Sequence, residues 1–348
     1  MKTEDLVKHA KKAGYKVKRI EALTQDASYR QYFRIYTSDK VDDPYYEQSF
    51  NPTMFILCYL DPKLGSHEKF VEINKSISFK YSAGRYGISD LAPNIYFYDK
   101  HIGITIQEDI GDQNLYDLYD QFSPSLKSTE DSHYGALEMA LSLLYCLHET
   151  TIPNLKKIKK NELINQMETF ESIYLSGYLS ISPLEIASQR KWLQKLWDEV
   201  IEKLYSQPWV NCHTDFEARN ILIKNDFDWD KMYLIDYQDM CIGPIGIDLA
   251  ALIFDHYLVH DVEILKDKEI IDNEIFEYAR WGAIQRNMRI LGTLSNLYLK
   301  QNRTFRLPDL EQILLNLNSA IPEKHAELKS FIMETVHIAN NKKIKEIL

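Results

Sequence analysis

The sequence predicts an α+β fold in two lobes, a small antiparallel sheet lobe over residues 1–107 and a larger, mainly helical lobe over 108–348. Three observations carry this. Short apolar runs bounded by polar turns fill the first third. Stretches with helical spacing fill most of the rest. A loop–strand–turn–strand unit rich in carboxylates interrupts the helices after residue 209.

Residues 2–13 suit a short helix and 16–20 a strand. A polar turn from Thr24 through Asp26 and Ser28 then enters a second strand ending near Ile35, and a polar excursion to Pro52 leads to the strand 54–60. A helix over about 67–80 follows, then strands at 92–98 and 102–106. After Gln107-Glu108-Asp109-Ile110-Gly111 the pattern changes: Ala136, Met139, Ala140, Leu143, Leu144 and Leu147 fall on one helical face. The region 156–204 reads as helical and charged, strands occupy 209–240, and helices fill the remainder. Phe254 and the aromatic residues in these helices read as core. The charge run at 341–345 reads as a solvated helix end.

A chain of 348 residues, 45% hydrophobic and 12% aromatic, can fill a sizeable core. The net charge of −10 argues against nucleic acid or an anionic membrane surface as partner, so a monomer acting on a small molecule is expected. Cys58, Cys146, Cys212 and Cys241 form no C-x-x-C pair and read as buried thiols of a reducing compartment. The first residues lack a signal-like apolar segment and no run approaches bilayer length, so a cytoplasmic location is expected.

The chemistry concentrates in residues 213–239. His213-x-Asp215-x-x-x-x-Asn220 has the spacing of a kinase-type catalytic loop, with the aspartate as base and the asparagine as metal ligand. Asn220 opens the apolar run Ile221-Leu222-Ile223. A polar turn separates it from Tyr233-Leu234-Ile235, which delivers Asp236, so a hairpin brings Asn220 and Asp236 to one end. Phosphoryl transfer to a hydroxyl needs a free carboxylate and oxygen ligands for magnesium, and Asp215, Asn220 and Asp236 supply them. His213 reads as a structural residue that holds backbone.

These segments resemble the aminoglycoside/choline phosphotransferase superfamily, which has a protein-kinase-like fold. Within it the likeness is greatest to the bacterial anomeric kinases of N-acetylmuramate and N-acetylglucosamine. It rests on Asp26-Ala-Ser28-Tyr-Arg30-Gln-Tyr32-Phe33-Arg34, Glu108-Asp109-Ile-Gly111, the 213–220 loop, Ile235-Asp236-Tyr-Gln238-Asp239 with Gly243-Pro244 and Asp248, and Gln285-Arg286-Asn-Met-Arg289-Ile-Leu-Gly292.

The resemblance implies ATP between the lobes, with adenine near 107–111 and phosphates under the 26–34 turn. Ser28, Arg30, Tyr32, Arg34, Glu108 and Asp109 are then the nucleotide-binding candidates. Asn220 and Asp236 hold Mg2+, and Asp215 and Arg219 are catalytic. Gln238, Asp239, Arg286 and Arg289 face the acceptor, and Asp248 braces the catalytic loop. The strand 54–60 lacks the lysine that grips ATP phosphates in most kinases, leaving Arg30 and Arg34 as the cations of the phosphate-side turn. The implied reaction yields a sugar 1-phosphate for cell-wall sugar recovery. An aminoglycoside or choline/ethanolamine kinase, or a pseudokinase acting as sensor or scaffold, are the alternatives.

Overall fold

In the computed structural model, which describes residues 1–23, 29–38, 53–78, 90–121, 130–226, 229–258 and 262–347, the chain divides into two compact units. The first comprises Met1–Gln113, Thr150–Pro153 and Ile221–Gln238; the second comprises Asn114–Glu149, Asn154–Asn220 and Asp239–Leu348. The sheet unit thus runs past residue 107 and includes the 221–238 segment.

The first unit opens with α1 (Thr3–Lys12) and a five-stranded antiparallel sheet. Its strands are β1 (Val17–Ala22), β2 (Gln31–Thr37), β3 (Met54–Tyr59), β4 (Ile95–Asp99) and β5 (Ile104–Glu108), in the order β1-β2-β3-β5-β4. In β2 the alternation of the sequence is the alternation of the pleat, with Phe33, Ile35 and Thr37 buried and Tyr32, Arg34 and Tyr36 on the other face. Leu6 and Ala10 of α1 join Phe33, Ile35, Phe55, Leu57, Ile104 and Ile106 in one core. Helix α2 (Glu68–Ile77) buries Phe70, Ile73, Asn74 and Ile77.

Beyond residue 113 the elements are α3 (Leu115–Gln121), α4 (Glu130–Glu149), α5 (Lys160–Thr169), a π-helical continuation Phe170–Tyr178, and α6 (Pro183–Tyr205). Strand β6 (Trp209–Cys212) follows, then the hairpin β7 (Ile221–Asp226) and β8 (Trp229–Leu234), and β9 (Cys241–Pro244). The chain closes with α7 (Gly246–Ile253), α8 (Val262–Asp267), α9 (Asn273–Gln301), α10 (Asp309–Ala320) and α11 (Ala326–Ile347). No helix among the described residues is long and apolar enough to cross a membrane.

The hairpin is tied into the first unit by Ile223 N–H donating to Gln113 O at 2.8 Å and Leu234 N–H to Leu91 O at 2.7 Å. Its ladder runs from Ile221↔Leu234 to Asp226↔Trp229, longer than the apolar runs alone suggest, because backbone pairing continues through polar residues. Asn220 precedes the first paired residue and Asp236 follows two residues after the last, so both sit at the same end of the hairpin.

The second unit is built around α9. Asp272 caps it by accepting from Ile275 N–H at 2.8 Å, and it buries nearly every residue from Ala279 to Leu294. Two glycines set its close contacts. A Cβ on Gly282 would lie 1.8 Å from Gly246 O of α7, and one on Gly292 would lie 2.1 Å from Thr169 Oγ1 of α5.

Candidate active site

The loop 213–220 is positioned from both ends. β6 pairs antiparallel with β9, ending at Cys212↔Cys241, and the chain leaves the pair into His213. Asp248, fully buried in the first turn of α7, accepts from His213 N–H at 2.7 Å and Thr214 N–H at 2.8 Å. His148 Nε2 of α4 lies 3.3 Å from the same carboxylate. Thr214 sits at φ +73°, a left-handed conformation that costs a β-branched residue energy and so depends on these contacts. At the far end, Ala218–Asn220 form a 3₁₀ turn in which Asn220 N–H donates to Glu217 O at 2.9 Å.

Asp215, just past the clamped residues, meets two guanidinium groups: Nη2 of Arg286 and Nη2 of Arg289 each lie 3.7 Å from its Oδ1. Asn220 Nδ2 donates to Asp215 O at 2.9 Å, which fixes the amide and presents its oxygen, the atom a hard cation takes. Arg286 has no exposed surface and places Nη2 3.0 Å from Glu217 Oε2, while its Nε and Nη1 have no hydrogen-bond partner. A guanidinium so enclosed reaches an acceptor only by way of Asp215. Arg289 donates to Thr214 O at 3.2 Å and keeps part of its side chain exposed, so it can meet a ligand directly.

Burial, together with the Asp215 charge, pushes the Glu217 carboxyl up to about 8 against the opposing pull of Arg286. Glu217 is absent from the sequence-level candidates because glutamate within a polar loop gives no sign of burial. The same absence holds for Asp255 and Tyr257. Asp255 Oδ2 accepts from Ala218 N–H at 2.7 Å, and Arg219 donates Nη1 to Tyr257 OH at 3.0 Å. A signal for Asp255 was present: it is the first charge after the uninterrupted apolar run Leu249–Phe254. Asp239 is exposed in the second unit.

In the first unit Asp236 adopts φ +62° and accepts from Gln238 Nε2 at 2.7 Å, leaving its second oxygen for a ligand. Tyr237 is buried, stacked on Phe70 of α2 at 4.6 Å between ring centres, and receives Asn74 Nδ2 on its hydroxyl at 2.7 Å. Arg30 and Asp236 act with opposite sign on the buried Tyr32 hydroxyl and Cys58 thiol. Burial pushes that thiol up to about 12, and burial with the Arg30 charge pulls His67 down to about 4. Arg30 therefore lies in the same neighbourhood as the Asp236 carboxylate.

Arg34 is committed elsewhere. Its Nε donates to Asp109 Oδ2 at 2.6 Å, and Nη1 and Nη2 each donate to a different Asp112 oxygen at 2.8 Å, so it anchors the 107–112 segment to β2. Asp109, the other member of that pair, is likewise occupied. Glu108 is buried, with Oε1 receiving Lys224 Nζ at 2.9 Å and Oε2 receiving Asn94 Nδ2 at 3.1 Å, so its side chain is spent within the unit. Ser28 and the rest of the 24–28 turn lie outside the described residues.

The profile of the phosphotransferase enzyme family matches residues 167–284, the stretch that carries Asp215, Asn220, Asp236 and Asp248. Over these residues the chain is similar to that family. It is 20% identical over 269 residues, 73% of its length, to an N-acetylmuramate/N-acetylglucosamine kinase of Neisseria meningitidis serogroup B, covering 77% of that protein. Among solved structures it is similar to the choline kinase LicA of Streptococcus pneumoniae, with a TM-score of 0.57 at 15% identity, 91% of this chain and 99% of that one being covered. It is also similar to ADP-bound aminoglycoside phosphotransferase APH(2'')-Ib, with a TM-score of 0.52 at 13% identity and coverage of 91% and 98%. The match and these likenesses support a phosphotransferase with an alcohol acceptor, and the expected combination of a small antiparallel sheet and a larger helical part is present.

Proposed function

We propose that this phosphotransferase moves the γ-phosphoryl group of ATP to the anomeric hydroxyl of N-acetylmuramate or N-acetylglucosamine. The observation that carries the acceptor class is the pair of guanidinium groups, Arg286 and Arg289, each 3.7 Å from Asp215 Oδ1. A choline, ethanolamine or aminoglycoside ammonium brought to that base would face two like charges, a juxtaposition that costs several kcal/mol. A neutral or carboxylate-bearing sugar instead gains the Arg289 guanidinium as a hydrogen-bond donor there.

In this reading Asp215 takes the proton of the attacking hydroxyl, and Arg289 orients the sugar. Arg286 holds Asp215 from behind. Arg219 offsets charge that develops during transfer. Asn220 Oδ1 and Asp236 fit magnesium, since both present oxygen and each has its other polar atom already hydrogen-bonded. When bound, the ion would neutralise phosphate charge. Arg30 takes the part of the missing lysine, because Arg34 is held by Asp109 and Asp112. Gln238 and Asp239 complete the acceptor contacts.

Turnover of Mg-ATP with N-acetylmuramate, N-acetylglucosamine, an aminoglycoside and choline tests the reading. Turnover confined to the sugars is expected. Turnover confined to the cations contradicts the charge argument, and absence of turnover with every acceptor favours the pseudokinase alternative.

A further inference from the structure

Asp248 secures only the first two N–H groups of the catalytic loop, and a different carboxylate, Asp255, holds it at Ala218. Asp255 is 2% exposed, yet neither of its oxygens is spent on a surface cation. Oδ2 receives Ala218 N–H at 2.7 Å and Oδ1 receives Tyr257 N–H at 3.0 Å, so one buried carboxylate joins the 3₁₀ turn of the loop to the turn 255–257. Ionised acceptors make the stronger hydrogen bonds of backbone N–H groups, which explains a carboxylate at this depth.

The same turn delivers Tyr257 to the next loop residue. Arg219 Nη1 donates to Tyr257 OH at 3.0 Å, and the guanidinium carbon lies 5.3 Å from the ring centre. The ring is itself fixed. The Arg306 guanidinium lies 5.6 Å from its centre, held by Nε donating to Asp309 Oδ2 at 2.6 Å, and Tyr116 of α3 lies 5.5 Å away. A long, flexible arginine side chain loses rotamer freedom when it is held this way, and a merely solvated arginine does not meet a phenol that Arg306 and Tyr116 immobilise.

We propose that Asp255 and Tyr257 form a second brace of the catalytic loop, in which Tyr257 is a positioning residue that fixes the direction of the Arg219 guanidinium. The proposal rests on the reading of residues 213–220 as the catalytic loop. Arg219 acts on the reaction, and Tyr257 acts only through Arg219.

The test is a double-mutant cycle with Tyr257→Phe, which keeps the ring and removes the acceptor oxygen, and Arg219→Ala. A hydrogen bond from a charged donor at the low end of its range corresponds to about a tenfold effect. Tyr257→Phe is expected to lower kcat about tenfold with KM for ATP and the unfolding midpoint near wild type. It should have no further effect in the Arg219→Ala background. Arg219→Lys, which keeps the charge but lacks the fork, should show a similar loss of kcat. Wild-type kcat in Tyr257→Phe, or an undiminished effect of that change when Arg219 is absent, overturns the brace. Asp215→Asn, measured alongside, separates the two levels: lost turnover there with an unaffected Tyr257→Phe refutes the brace alone, whereas retained turnover in Asp215→Asn removes the catalytic loop beneath it.

Discussion

Replacing Asp248 should cost both stability and rate, in amounts the structure sets. Its carboxylate receives two backbone N–H groups, at 2.7 and 2.8 Å, and has no exposed surface. Asp248→Ala strands both donors inside the unit, and with ~1.5–3 kcal/mol for each hydrogen bond to a charged group the loss is about 3–6 kcal/mol. That is a large fraction of the ~5–15 kcal/mol by which a folded protein is stable, so this variant is expected to unfold or to be recovered poorly. Asp248→Asn is the informative change. One oxygen still accepts, the other site becomes an NH₂ facing an N–H, and about half of the loss is expected. The left-handed Thr214 then relaxes, and Asp215 follows it. Since a displacement of ~1 Å can cost ~10²-fold in rate, kcat should fall by one to two orders of magnitude while KM for ATP changes little. Urea unfolding and steady-state kinetics on the same preparation read both quantities. Wild-type stability and kcat in Asp248→Asn would refute the claim that this carboxylate holds the loop.

Three further outcomes follow from the geometry. The folded-state pKa of Glu217, about 8, lies above its ordinary 4.5, so the native state retains a proton that the unfolded chain releases, and stability should fall as pH rises from about 4.5 to 8. Glu217→Gln should flatten that slope, as followed by chemical unfolding across the range, and an unchanged slope would assign it to other groups. Gly282→Ala places a Cβ 1.8 Å from Gly246 O, a backbone clash that should cost at least ~1–3 kcal/mol and lower the melting temperature; an undiminished melting point would contradict the packing of α7 on α9. Arg30→Ala should weaken ATP by ~1.5–3 kcal/mol while leaving adenosine almost unaffected, and equal weakening of both in titration calorimetry would count against Arg30 as the phosphate-binding cation.

What could be read from the sequence follows the range of the interactions involved. Strand β2 was legible because its pleat alternation is written in consecutive residues, and the 221–234 hairpin because two apolar runs flank one polar turn. The Asp215–Asn220 spacing was legible because five residues of a single loop fix it. Partners distant in sequence were not. Arg34 reads as a phosphate cation until Asp109 and Asp112, over seventy residues away, are seen to hold it. Arg286 reads as a substrate contact until it is found enclosed with Glu217, sixty-nine residues earlier. The π-helical segment Phe170–Tyr178 was expected only as helix, since its buried aromatic rings satisfy helical spacing and the widened turn leaves no mark in composition. Glu108 stands at a hinge position that is visible in sequence, whereas its side chain's commitment to Lys224 and Asn94 is not.

The central claim, that Asp215 deprotonates an anomeric hydroxyl, is tested most directly by phosphorus NMR of the product formed from N-acetylglucosamine or N-acetylmuramate with ATP, run beside the corresponding 1-O-methyl glycoside. The account predicts a phosphorus coupled to the anomeric carbon and its proton, with the methyl glycoside binding but unreactive. Phosphate on position six, or turnover of the methyl glycoside at a comparable rate, would contradict it.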